Sequence, residues 1–388
     1  MINIIFIGLI SFFADVSTEM VYPLIPLYLT GRFGASPALI GIIEGIAESI
    51  ASLLKVFSGY LSDRYKKKKP IAFLGYSSGL FYKLALLLAT SWFGILAARV
   101  IDRIGKGIRT APRDVMVSDS ADEKHIGKAF GIHKALDMAG SALGILLAFL
   151  FLIYYKQNGV YKNIFLYSMI PAVLSLIMFL FVKEKKEHRS TIQRIPFWKN
   201  IAMLDRNLKL YILVAFLFTL GNSSNAFLLL RAKSTGFDDT TVVLLYFIYN
   251  ITASLLSIPL GSLSDKVGRR KVLIGGYLTF AIVYLGFAFA FNQLFMIAMF
   301  VLYGLYTAMI AGVERAYISE IAPPALKGTM LGLHSTAVGV ALLPASAIAG
   351  ILWTTVGTKA PFFFGSLLSF LAAALLFLFL KPQKLSIN

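Results

Sequence analysis

The stretch Ala98 to Asp119, ARVIDRIGKGIRTAPRDVMVSD, follows the apolar run Ser91 to Ala97 in a chain that otherwise reads as membrane. Its Arg99, Asp102, Lys106, Arg109 and Arg113 are spaced by 3, 4, 3 and 4 residues. On a helix that spacing puts all five side chains on one face. A charge inside a bilayer is costly and faces a bundle interior or a water-filled cavity. The expectation is a helix lining a polar cavity that the other helices build. The competing reading is an amphipathic helix on the membrane surface, for which the neighbouring apolar segments leave little room.

The rest of the chain supplies those helices. Of 388 residues, 58% are hydrophobic and 14% charged, with 32 Phe and 18 Tyr. A soluble domain of this length could not hide so much apolar surface, so the class is an all-α polytopic membrane protein. Cysteine is absent, which excludes a disulfide framework, a thiolate metal site and a Cys nucleophile. The net charge of +18 does not point to nucleic acid, because the basic residues cluster in short loops between apolar runs. The N-terminal apolar stretch lacks a basic leader and is interrupted by Asp15 and Glu19, so it reads as a retained first span.

Twelve spans can be drawn, at about 3–30, 37–61, 70–90, 91–118, 127–153, 161–182, 208–232, 239–262, 271–291, 293–319, 328–353 and 360–380, each near the length a bilayer requires. Alternate loops carry Arg64 and Lys66 to Lys69, Lys124, Lys183 to Arg206, Lys266 to Lys271, Lys327, and Lys381 with Lys384. The intervening loops hold only Arg32, Lys156, Lys162, Lys233 and Lys359. The positive-inside rule therefore places both termini and the long middle loop in the cytoplasm of a cell-membrane protein. That loop, residues 183–207, separates a six-helix bundle at 1–182 from another at 208–388. Pro196-Phe197-Trp198 within it reads as a short interfacial helix or as plain linker.

An internal repeat supports the division. Gly59-Tyr-Leu-Ser-Asp63-Arg64 recurs as Gly261-Ser-Leu-Ser-Asp265-Lys266, 202 residues later. Gly127, Gly131 and His133 recur as Gly328, Gly332 and His334, and Asp119 maps to Glu320, each at an offset of 201. Two parallel six-helix repeats with a substrate site between them are a known transporter plan.

The repeated loop resembles the signature loop of the major facilitator superfamily. Its second copy matches well through Gly261, Asp265, Lys266, Gly268, Arg269 and Arg270, and the first departs at its second glycine, where Lys66 stands. The fourth span is partly similar to the family's basic motif in that helix, with Arg99 at its arginine and Gly105 at a later glycine. Asp102 and Arg103 stand where glutamine and glycine are common. In the fifth span Gly131, Gly140 and Gly144 resemble the glycine frame of the antiporter motif in drug:proton antiporter-like exporters. The motif's proline and final glycines are replaced by Ile145, Ala148 and Phe149. Glycines so spaced also let helices pack closely. The resemblance implies the twelve-helix fold of two pseudo-repeated bundles and transport by alternating access. It further implies that the loop motif (Gly59, Asp63, Arg64, Gly261, Asp265, Gly268, Arg269) latches the halves in one state.

Intramembrane carboxylates and histidines are the material of proton relays. Candidates are Asp15 with Glu19, His133 with Asp137, and Glu44 with Glu48, each pair four residues apart. Structural ion pairing, solvation of Glu44 near a span end, and packing of His133 stay open as alternatives. At the 201-residue offset, Asp102, Lys106, Arg109 and Arg113 correspond to Tyr303, Thr307, Ile310 and Glu314. One wall is thus charged and the other aromatic and hydroxylic, joined by Asn222, Ser223, Asn225 and Asn250. Such a cavity suits an amphiphilic or anionic organic solute. Neutralisation by Asp15, Glu19, Asp102 and Asp114 would suit lipophilic cations instead. Arg113-Asp114 and Glu314-Arg315 read as gate residues. No metalloprotease, Walker or nucleophile-elbow motif is present, so the chain reads as no enzyme, without cofactor or metal. The expected function is proton-coupled efflux by a monomer in the bilayer. A non-cycling membrane sensor or lipid-handling protein is the alternative.

Overall fold

The computed structural model describes residues 2–64, 68–121, 126–155, 159–184, 206–290, 292–310, 312–322 and 327–379. These residues are all helix and connecting turns, with no strand among them. The first span is α1 (Ile2–Glu19) and α2 (Leu24–Phe33), then come α3 (Pro37–Arg64), α4 (Lys68–Leu88), α5 (Trp92–Asp119) and α6 (Ile126–Tyr154). The sixth span is α7 (Val160–Tyr167) and α8 (Met169–Met178), and the seventh α9 (Arg206–Gly221) and α10 (Ala226–Ser234). α11 (Asp239–Val267) and α12 (Arg269–Phe289) follow, then α13 (Gln293–Ile310) with α14 (Val313–Ile321), α15 (Lys327–Thr355) and α16 (Ala360–Phe379).

Eleven spans are long and apolar enough to cross a membrane. α5 is 28 residues long and fails only on composition, because of the charges that single it out in the sequence. It is not a surface helix. It packs against α3 and α4, and its Arg99, Asp102, Arg103 and Arg109 are buried. Local signals set its ends. Ser91 caps its start by accepting a hydrogen bond from the Gly94 amide at 3.4 Å, satisfying one orphan donor of the first turn. Asp238 does the same for α11, accepting from the Thr241 amide at 3.3 Å.

Two six-helix halves pack separately and then against each other. In the first, α1 lies on α6 and α4 on α5; in the second, α11 lies on α13 and α12 on α16. The halves meet along two seams, α3 with α15 and α6 with α11. Gly41 and Gly45 bring α3 against the backbone of α15: a Cβ on Gly45 would stand 2.9 Å from the Leu343 carbonyl oxygen. Small residues allow such close approach, which drives helix association where no hydrophobic effect operates.

The described Lys and Arg of the interhelical turns concentrate at the end of the bundle that holds α1's start and α16's finish. The hydrogen bonds and ring pairs joining the halves lie in mid-bundle or toward the opposite end. There the Tyr161 hydroxyl donates to the Asp239 carboxylate, and Asp239 also pairs with Lys233 at 2.5 Å. The Ser224 hydroxyl reaches Glu44 at 3.3 Å, and the Ser49 hydroxyl donates to the Gly339 carbonyl at 2.5 Å. Tyr22 and Tyr246 rings meet at 5.8 Å.

The expected spans match these helices closely, but four expected continuous spans are broken, the sixth span at Ser168. The first breaks at residues 20–23 and the seventh at 222–225, which correspond at an offset of 202. The tenth is broken near Gly312. Most of the middle loop, including Pro196-Phe197-Trp198, lies outside the described residues, as do the side chains of Gly59, Asp63 and Arg64.

Candidate functional site

The charged face of α5 divides among three neighbours. Near the end opposite the termini, Arg99 is 0% exposed and donates to Glu44 of α3 at 2.6 Å. Arg103 pairs with Glu48 at 2.7 Å and lies 3.7 Å from Asp102. The Tyr22 ring, at the break in the first span, covers both guanidinium groups, at 5.1 Å and 5.8 Å. Glu44 is therefore buried and ion-paired rather than solvated at a span end. Arg103, a departure from the family pattern in the sequence, is matched by the carboxylate one turn below Glu44. Buried charges survive in a membrane when paired in this way.

One turn further on, Lys106 is half-buried. The charges acting on Lys55 of α3 are those of Lys106, Glu48, Arg315 and Arg103. Cations of both halves thus act on Lys55. Lys106 also acts on Glu19 and on Asp15 of α1. Arg109 turns away from the axis: its guanidinium lies over the Tyr76 ring of α4 at 4.3 Å.

The facing wall belongs to the second half. At the break in the seventh span, Asn222 donates to the Tyr306 hydroxyl at 3.0 Å, and Asn225 accepts from the Tyr303 hydroxyl at 2.9 Å. Tyr249 meets Tyr303 at 5.1 Å and Tyr246 at 5.4 Å. Interrupted helices at matching positions of two repeats expose backbone polar groups only where a cavity or packed protein receives them. The breaks at residues 20–23 and 222–225 face this region and were not signalled by hydropathy.

The carboxylates of α1 and α6 come together. Asp15 and Asp137 lie close enough to act directly on each other. Asp137 also pairs with Lys134 at 2.8 Å. His133 is not joined to Asp137. Its Nε2 meets the Ser11 hydroxyl at 2.9 Å, which meets the Tyr76 hydroxyl at 2.8 Å. Gly140, in the same helix, packs on α1: a Cβ there would stand 2.9 Å from the Phe12 Cα.

The second half repeats this polar cluster with a charge inverted. Tyr76, Arg113 and His133 correspond at 201 residues to Tyr277, Glu314 and His334. Tyr277 donates to Glu314 at 3.1 Å, and His334 stands 3.8 Å from it. At the basic end, Lys68 pairs with Asp119 at 3.0 Å, and Arg269, its repeat partner, pairs with Glu320 at 3.2 Å and Asp265 at 3.0 Å. Arg113 pairs with its neighbour Asp114 at 2.8 Å. Each of these pairs stays within its own half. Gly268 enters α12 with φ +103°, a conformation that favours glycine.

A family model described as the Major Facilitator Superfamily matches residues 7–229 and again 211–388. The chain belongs to the Major Facilitator Superfamily. It is 40% identical over 380 residues to an uncharacterized MFS-type transporter of Methanocaldococcus jannaschii, covering 96% of this chain and 94% of the relative. It is 25% identical over 260 residues to a probable 4-methylmuconolactone transporter of Cupriavidus pinatubonensis, covering 63% and 59%. The fold is similar to that of a variant of the nucleoside transporter NupG, with TM-score 0.83 at 11% identity, covering 97% and 99%. This superfamily member is a multi-pass membrane transporter of small solutes and not an enzyme. Lys83, Tyr306 (the partner of Asn222) and Tyr249 were not singled out by sequence. Lys83 carries one signal, a lone cation in the apolar run FYKLALLL.

Proposed function

We propose that the chain is a proton-coupled exporter of an amphiphilic organic anion, working by alternating access between bundles 1–182 and 208–388. What supports this reading is the electrostatic influence of Lys106 and Arg315 on Lys55 across the two halves, together with the Tyr249, Tyr303 and Tyr306 cluster of the second half. Cations hold a carboxylate or phosphate, and rings cover the apolar remainder. Asn222 and Tyr303 orient the solute, and Asp15, Glu19 and Asp137 carry the proton. Two carboxyl groups sharing one proton release it when a substrate anion or a moved cation changes the local charge.

With the basic end taken as cytoplasmic, the contacts of Tyr161 with Asp239 and Glu44 with Ser224 close the external side. Solute then enters from the cytoplasm. The loop-motif pairs within each half leave Asp265 and Arg269 free to exchange partners when the halves rock. Export as direction rests on the antiporter-like glycine frame of the fifth span. The coupling of Arg99 and Arg103 to Glu44 and Glu48 favours a second reading. These arginines are neutralised inside the protein, so Glu19 and Asp15 would select a lipophilic cation.

The test is uptake of radiolabelled aromatic carboxylates into inverted vesicles. Lys106→Gln should lower uptake about tenfold, the loss of roughly one charge-assisted contact. Wild-type vesicles that accumulate aromatic amines and not carboxylates would replace this reading with the second.

A further inference from the structure

A small cavity lies inside the first half. It is bounded by Ser17 and Thr18 of α1, Tyr76, Gly79 and Lys83 of α4, Arg109 of α5 and Ser175 of α8, and has room for about one water-sized particle. Lys83 is 0% exposed, and its ammonium has no hydrogen-bond partner. It lies over the Tyr82 ring, 4.7 Å from Nζ to the centroid. Arg109, also buried, lies over Tyr76 and makes no ion pair among the described residues. Gly79 is buried as well, yet a Cβ there would meet nothing within 4 Å. The side chain missing at Gly79 is what leaves the space beside Lys83 open.

We propose that this cavity binds a small monovalent inorganic anion, with chloride as its physiological form. A buried ammonium without a partner costs several kcal/mol, and here a guanidinium lines the same cavity. The carboxylates of Asp102, Asp15 and Glu19 act on Lys83, but none reaches ion-pair distance of it among the described residues. An anion in the cavity would meet the Lys83 ammonium and the Arg109 guanidinium, with Thr18 also in its lining. The Ser17 and Ser175 hydroxyls donate to the Ser168 and Ile10 carbonyls and only line the space. A polyatomic organic anion is too large for it. The ion would pin α4 and α5 to α1 and α8, fixing the first half as one body.

The test uses purified full-length protein in detergent and follows thermal unfolding by intrinsic fluorescence. Sodium chloride replaces sodium gluconate at constant ionic strength. The expected result is a saturable rise in Tm of about 3 °C or more in chloride. Lys83→Met should abolish the chloride dependence. Gly79→Ala keeps both cations, favours the helix and fills the open space, so it should raise the half-saturating chloride concentration about tenfold. If Lys83→Met does not fold, Gly79→Ala decides alone. Equal stability of the wild type in both salts would mean that water fills the cavity, and an unchanged chloride response in Gly79→Ala would place the ion elsewhere. Either result overturns the proposal, and neither depends on transport.

Discussion

Glu44→Gln removes one partner of the most deeply buried ion pair among the described residues. The side chains of Arg99 and Glu44 are 0% and 2% exposed, and their contact is 2.6 Å. Breaking a buried pair by removing one partner costs about 3–5 kcal/mol, because the other charge is left uncompensated. Glu48 offers little rescue: it stands 3.9 Å from Arg99 and is already engaged with Arg103 at 2.7 Å. The lower figure therefore applies as a minimum, about 3 kcal/mol, or roughly 6 °C in Tm for a half of this size. The assay is thermal unfolding of purified protein in detergent. Replacing both partners, as Glu44→Leu with Arg99→Met, should recover most of the loss, since matched apolar groups can substitute for a buried pair at little cost. Glu48→Gln should cost less, because Glu48 is 30% exposed. A Glu44→Gln protein as stable as wild type, or a double variant at the sum of the single losses, would refute the view that this pair is a closed structural unit.

Other outcomes follow from the same geometry. Asp137→Asn should stop solute-driven pH change in proteoliposomes while leaving solute binding within about twofold, since it removes a proton-carrying carboxyl group and not the cations. Gly140→Val should destabilise the protein by at least about 2 kcal/mol, read as lost thermal stability, because its side chain meets the α1 backbone 2.9 Å from Cβ. Asp239→Asn weakens the Tyr161 contact and the Lys233 pair. In this cysteine-free chain a single Cys introduced at Asn250 should then react several-fold faster with an impermeant thiol reagent from outside. At the start of α11 the Thr241 hydroxyl and amide hold the Asp238 carboxyl below its ordinary range. That cap is present above the usual carboxylate pKa and is lost as pH falls through the lowered value. Asp238→Ala should accordingly cost about 1 kcal/mol at neutral pH and nothing in strong acid.

Hydropathy and the recurrence at 201 residues made the twelve spans and two halves legible, because bilayer thickness fixes span length and homologous halves keep their spacing. The interior placement of α5 was equally legible from the spacing of its charges. What each charge touches was not. Arg99 finds Glu44 fifty-five residues away and Lys68 finds Asp119, contacts set by how α3, α4 and α5 pack. Asp15 was readable as a relay candidate beside Glu19, yet its neighbour is Asp137 on another helix. The breaks at residues 20–23 and 222–225 left no trace in hydropathy, since Asn222, Ser223, Ser224 and Asn225 are few and surrounded by apolar residues. Tyr76 and Tyr277 stand at the repeat offset, and that coincidence was the available clue to the two matching polar clusters.

The most direct test of the central claim is proton movement in proteoliposomes loaded with a pH-sensitive dye and challenged with matched amphiphilic anions and cations. The account predicts a pH change with the anions, abolished by Asp137→Asn and reduced about tenfold by Lys106→Gln. A pH change with the cations alone would contradict it, and would mean that the charges of α5 are neutralised within the protein.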